Sequence, residues 1–129
     1  MSDEHILCCL PSFSSNEKVI EMAARMAKSF NGALTALFLF SSPSKKMSER
    51  ELAMLHKNQQ LTKQTGAQMT TVYGNNVAYL VSEYAKANHV TKIAIGHSAN
   101  KKFLGFCRQN NIDKITSLLM PDIEVYAVN

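Results

Sequence analysis

Apolar and polar positions alternate along this chain in two periods, and the periods take turns. Ile6 to Leu10 is a short continuous apolar run closed by Pro11, which reads as a strand buried on both faces. A polar turn, Ser12 to Ser15, follows, and Ser14-x-x-Glu17 has the form of a capping box opening a helix with Ile20, Ala23, Ala24 and Ala27 on one stripe. Gly32, after Asn31, ends that helix. Ala33 to Phe40 is a second apolar strand. After a loop from Ser41 to Met47, Ser48-x-x-Glu51 opens a second helix that runs to Gly66. Its apolar stripe is thin (Leu52, Leu55, Leu61), so it is expected to be the most exposed helix.

Met69 to Tyr73, ended by Gly74, is the third strand. Asn75 or Asn76 caps a third helix whose Val77, Leu80, Val81 and Tyr84 share a face, and Asn88-His89 closes it. Lys92 to Ile95 is the fourth strand, closed by Gly96, and a polar loop runs on to about Gly105. A fourth helix carries Ile112, Ile115 and Leu119 on one side, with Pro121 just beyond, and Ile123 to Val128 is the fifth strand. Short apolar strands separated by amphipathic helices predict an α/β fold: a five-stranded parallel sheet with helices on both faces. Right-handed crossovers leave few topologies, and the expected strand order is 3-2-1-4-5. Residues 1–129 are expected to form one domain.

Composition changes this picture little. The apolar fraction is 46%, ordinary for a chain with one core, and the net charge of +4 is only mildly basic. Lys45, Lys46, Lys101, Lys102 and Arg108 fall in or beside two of the loops, which suits an anionic small ligand, a nearby phospholipid surface or simply a solvated face. No nucleic-acid partner is expected. Cys8 and Cys9 are adjacent in a strand, so they point to opposite faces and are expected to be buried free thiols. With no CxxC and four scattered histidines, no metal site is expected. No run reaches the roughly 18 apolar residues of a membrane span. The polar, acidic start is no signal peptide, so a cytoplasmic location without membrane contact by this segment is expected.

Ligands of open parallel sheets bind outside the carboxyl ends of the strands, where the strand order reverses. Here that place lies between strands one and four, which singles out Ser12, Ser14, Ser15, Gly96, His97 and Ser98. Enzyme signatures are missing: there is no GxxxxGK[ST], GxGxxG or GxSxG, and strand ends Leu10-Pro11 and Tyr73-Gly74 lack a phospho-acceptor aspartate. Cys107 and His97 have no evident third group to orient them. No catalytic residue is assigned.

Ile6 to Ser15 with Val19 to Ala27, Gly74-Asn75-Asn76-Val77-Ala78, Ser82-Glu83-Tyr84-Ala85, Val90 to His97 and Met120 to Val128 together resemble the universal stress protein-like domain of KdpD sensor kinases. The resemblance covers about His5 to Val128. It implies a cytoplasmic sensory domain of a larger membrane-bound histidine kinase for potassium and osmotic response, inactive by itself, whose partners are the other domains of that kinase. Universal stress proteins that bind ATP carry Gly-x-x-Gly after strand four and then Gly-Ser or Gly-Thr. This chain lacks the first and has Gln109-Asn110 at the second, which disfavours ATP. KdpD domains that bind cyclic di-AMP show Ser-x-Ser and then Phe-Thr-Ala-x-Tyr. Ser12-Phe13-Ser14 and Leu34-Thr35-Ala36-Leu37-Phe38 match this in part, with Leu34 and Phe38 replacing the aromatic places. The resemblance therefore implies a ligand set of Ser12, Phe13, Ser14, Thr35, Ala36, Phe38, Gly96, His97 and Ser98 over the carboxyl ends of the strands, with cyclic di-AMP or another adenine nucleotide as the ligand. The rival readings are a free-standing universal stress protein binding ATP and a nucleotide-free interaction module that pairs two copies through strand five.

Overall fold

The computed structural model describes residues 3–11, 16–40, 46–96, 109–119 and 121–128. In chain order the elements are β1 (His5–Pro11), α1 (Glu17–Phe30), β2 (Ala33–Phe40), α2 (Glu49–Gln64), β3 (Gln68–Tyr73), α3 (Val77–Ala87), β4 (Lys92–Gly96), α4 (Gln109–Leu118) and β5 (Glu124–Val128). All strand pairs are parallel and the order is β3-β2-β1-β4-β5, as the sequence predicts.

Two apolar layers sandwich the sheet, and alternation along β1 divides them. Ile6, Cys8 and Leu10 pack with Val19, Ile20, Ala23 and Met26 of α1. Leu7 and Cys9 pack with Leu37, Ile93 and Ile95 and with α3 and α4 through Val81, Ala85, Ile112 and Ile115. The adjacent cysteines thus face opposite layers, both buried and both free thiols.

Local signals explain most helix ends. Ser48 and Glu51 make the complete capping box of α2, Glu51 N–H donating to Ser48 Oγ and Ser48 N–H to Glu51 Oε1. Ser48→Ala is expected to lower stability by about 1 kcal/mol in urea unfolding, the usual loss for such a cap. Asn76 caps α3 by accepting from the Tyr79 N–H.

Three features differ from expectation. α1 starts at Glu17 behind Asn16, later than the Ser14 capping box implies, and Ser14 lies outside the described residues. Asn16 is buried, and its N–H donates to Asn58 Oδ1 of α2, so a tertiary contact holds this end. At the other end of α1 the left-handed residue is Asn31 (φ 52°), not Gly32. Gly32 is required for space instead, because a Cβ there would lie 2.6 Å from the Glu4 carbonyl oxygen. Finally, α2 turns Asn58 and Thr62 fully inward, while Leu52 is 41% exposed. Its most deeply buried positions are polar, with Thr62 Oγ1 donating to the Asn58 carbonyl, while the expected stripe residues Leu55 and Leu61 pack partly buried against the α1 layer.

Candidate functional site at the carboxyl ends of β1 and β4

The β1–β2 ladder runs to Pro11↔Leu39 and the β4–β5 ladder to Gly96↔Val128, but β1 and β4 stop pairing at Cys9↔Ile95. The β1–β4 ladder thus ends at the point where the strand order reverses, and the helices α1 and α4 pack on opposite faces of the sheet. This is the place where open parallel sheets bind their ligands. Its described walls are the ends of β1 and β4, buried Leu10 and Gly96, and the start of α1. The first turn of α1 opens toward this edge, and Asn16 makes no side-chain cap to it.

Gly96 is the predicted site residue that the structure brings to this edge. Ser12, Phe13, Ser14, His97 and Ser98 lie outside the described residues, as does Cys107. Thr35 and Ala36 do not lie at the carboxyl edge, contrary to expectation. Thr35 is level with Leu7 and Gln68, five residues before Phe40, which at about 3.3 Å per residue is roughly 16 Å down the strand. Phe38, level with Leu10, is buried in the α1 layer. The Thr-Ala match in the sequence has the right residues but sits too deep in β2 to line the edge.

Thr35 belongs instead to a polar cluster at the opposite end of the sheet. Its Oγ1 lies 2.8 Å from His5 Nε2, while His5 Nδ1 donates to the Asn88 carbonyl at 3.0 Å. An open groove of about 690 Å³ runs beside it, with Lys28, Asn31, Thr65 and Gln68 among its lining. Nearby, buried Lys92 donates to Glu124 Oε1 at 2.6 Å, approaches Glu4 Oε2 at 3.5 Å and caps the Phe30 ring at 4.6 Å. The Tyr126 hydroxyl donates to Glu124 Oε2 and the Thr91 hydroxyl to Glu4 Oε2. Sequence reading misses this cluster, because a lysine opening a strand looks like a solvated end. The available signal is its place in an otherwise fully buried strand.

The hydrogen bond from Lys92, and then that from Tyr126, hold the Glu124 carboxyl below the ordinary glutamate range. The same bond to Glu124 raises Lys92, outweighing the burial that opposes it. A depressed carboxyl contributes stability above its unfolded-state titration and loses it as pH falls through the folded value. A raised ammonium contributes below its unfolded-state titration and loses it as pH climbs past the folded one. The network therefore supports the fold throughout the neutral range. In urea midpoints measured from pH 7 down to pH 3, Glu124→Gln is expected to flatten part of the acid decline. Among the described residues no group of histidine, cysteine and carboxylate side chains could hold a metal ion, and no helix is long and apolar enough to cross a membrane.

Solved structures share this architecture end to end. The universal stress protein UspA of Lactobacillus plantarum superposes over 100% of this chain and 99% of its own, with a TM-score of 0.69 at 17% identity. That of Archaeoglobus fulgidus in complex with dAMP covers 100% of both chains, with a TM-score of 0.66 at 15% identity. The chain has the universal stress protein fold. Within it, the sequence is specifically similar to the sensor protein KdpD of Clostridium acetobutylicum, 32% identical over 116 residues and 88% of this chain. The chain spans 13% of that protein's length. No protein-family profile matches it. It is thus a universal stress protein-like domain similar to one segment of KdpD.

Proposed function

We propose that this domain is the ligand-sensing module of a KdpD-type sensor kinase and that it binds an adenine nucleotide, cyclic di-AMP, in the crevice between β1 and β4. The observation that supports the reading is the end of the β1–β4 ladder at Cys9 and Ile95, at the reversal of strand order. The α1 start beside it offers backbone N–H groups to a phosphate. The dAMP complex of the Archaeoglobus protein supports an adenine nucleotide as ligand class, and the KdpD similarity supports the signalling role.

In this reading Ser12 and Ser14, which follow β1 directly, supply hydroxyls to the phosphates, and Gly96, His97 and Ser98 form the opposite wall. Phe13 covers the base. The domain carries no chemistry of its own, and ligand occupancy is passed to the other domains of a membrane-bound kinase on its cytoplasmic side. ATP binds more weakly than cyclic di-AMP, because the glycines that let a backbone approach a triphosphate are replaced.

Calorimetric titration with cyclic di-AMP, ATP and AMP tests this. Saturable binding of cyclic di-AMP is expected, with ATP at least about tenfold weaker. Ser12→Ala is expected to weaken cyclic di-AMP by about ten- to a hundredfold, the loss of one hydrogen bond to a charged group, with stability unchanged. ATP binding tighter than cyclic di-AMP would favour the free-standing stress-protein reading. Absence of heat with all three nucleotides would favour the interaction module.

A further inference from the structure

The strands β2 and β3 end in an aromatic pair. Phe40 is level with Tyr73, and the Gly74 N–H donates to the Phe40 carbonyl at 2.9 Å, so the two strands stop together. β1 stops one residue short of them, because Pro11 is level with Leu39. Phe40 and Tyr73 therefore stand at the same carboxyl edge as the proposed nucleotide site, unlike Thr35 deep in β2. Neighbouring strands lie about 4.8 Å apart, which puts Tyr73 roughly 10 Å across the edge from β1.

Both rings turn to the α1–α2 face, in line with Ala36 and Phe38 on β2 and with Met69 and Thr71 on β3. Leu55 and Leu61 of α2 pack on this face, and Phe40 is half-buried there, yet Tyr73 stays 49% exposed. Its ring is braced on Phe40, with centroids 5.7 Å apart and planes tilted by 34°. A large ring left half in water forgoes part of the hydrophobic gain that its size offers. Held by Phe40, it has little rotamer freedom left to lose when a flat partner covers it. A nucleobase is such a partner, and it stacks on an aromatic ring through its π-face. A nucleotide with one base, anchored between β1 and β4, leaves Tyr73 untouched. A cyclic dinucleotide carries a second base, and β2 alone lies between β1 and the strand of Tyr73.

We propose that Tyr73, backed by Phe40, is the stacking platform for the second adenine of cyclic di-AMP and so selects a dinucleotide over nucleotides with one base. This rests on nucleotide binding between β1 and β4 and adds to it the residue that sets specificity.

The chain has four tyrosines and no tryptophan, so its emission reads the stack directly. Cyclic di-AMP is expected to quench the parent's tyrosine emission. Tyr73→Phe is expected to bind it within about threefold of the parent but without that quench, because a phenyl ring still stacks. Tyr73→Ala is expected to weaken cyclic di-AMP about ten- to a hundredfold in calorimetry, the usual loss of one base–aromatic stack, with the thermal transition kept. Tyr79→Ala removes a comparably exposed tyrosine from α3, on the opposite face, and is expected to bind like the parent. Parent-like affinity in Tyr73→Ala, or an equal loss in Tyr79→Ala, overturns the platform alone, since Ser12→Ala still reads the site between β1 and β4. A parent that does not bind cyclic di-AMP overturns both. Should Tyr73→Ala fail to fold, the emission decides, and a quench that persists in Tyr73→Phe overturns the platform.

Discussion

In a Cys107→Ser background, Cys8 and Cys9 are expected to react with a thiol reagent at least about a thousandfold more slowly in the native domain than in the urea-unfolded chain. Both side chains lie in the central strand, 2% and 0% exposed, one in each apolar layer. Burial pushes both thiols far above their ordinary range, and at Cys9 the neighbouring Cys8 adds to the shift, so almost no native thiolate exists. No local fraying exposes a strand flanked by β2 and β4, so labelling must wait for global opening. A domain with about 5 kcal/mol of stability opens only a few times in ten thousand. Rapid labelling of either cysteine would show that the core is looser than its packing implies.

Leu37→Ala is expected to destabilise the domain by about 2–5 kcal/mol, the range for truncating a fully buried leucine. Leu37 is 0% exposed, pairs with Cys9 across the β1–β2 ladder and packs in the α3–α4 layer. Its central strand leaves no route for the site to collapse, because β2 is fixed by ladders on both sides. The two experiments are linked. If thiol labelling follows global opening, Leu37→Ala must speed it by about thirtyfold to a few thousandfold, at roughly 1.4 kcal/mol for each factor of ten. An unchanged labelling rate alongside a lower urea midpoint would separate the two processes and refute global gating.

The residues that make the fold legible are those whose signal is local. The alternation of apolar runs and amphipathic stretches yields every element, and the crossover rule yields the strand order. Ser48-x-x-Glu51 and Asn76 mark helix starts because a cap needs only its own turn. Asn16 gives no such signal, because its partner, Asn58, is 42 residues away. Gly32 has the composition of a left-handed cap, yet Asn31 takes that conformation and Gly32 makes room for Glu4. The Thr35 motif points to the ligand edge because a motif fixes residue order but not depth along a strand. Depth depends on where β2 ends relative to β1, a register that only pairing reveals. The Lys92 network is invisible for the same reason, since Glu4 and Glu124 meet Lys92 only once β1, β4 and β5 are side by side.

The proposed nucleotide site and the amino-end groove lie at opposite ends of one sheet, so the central claim is a claim about place. Amide chemical-shift mapping during a titration with cyclic di-AMP decides it. Shifts are expected at Leu10, at Gly96 and in the first turn of α1 from Glu17, while Ala33, Gln68 and Lys92 stay unmoved. Perturbations gathered instead around His5, Ala33 and Gln68, or none along the carboxyl edge at saturating ligand, would contradict a site between β1 and β4.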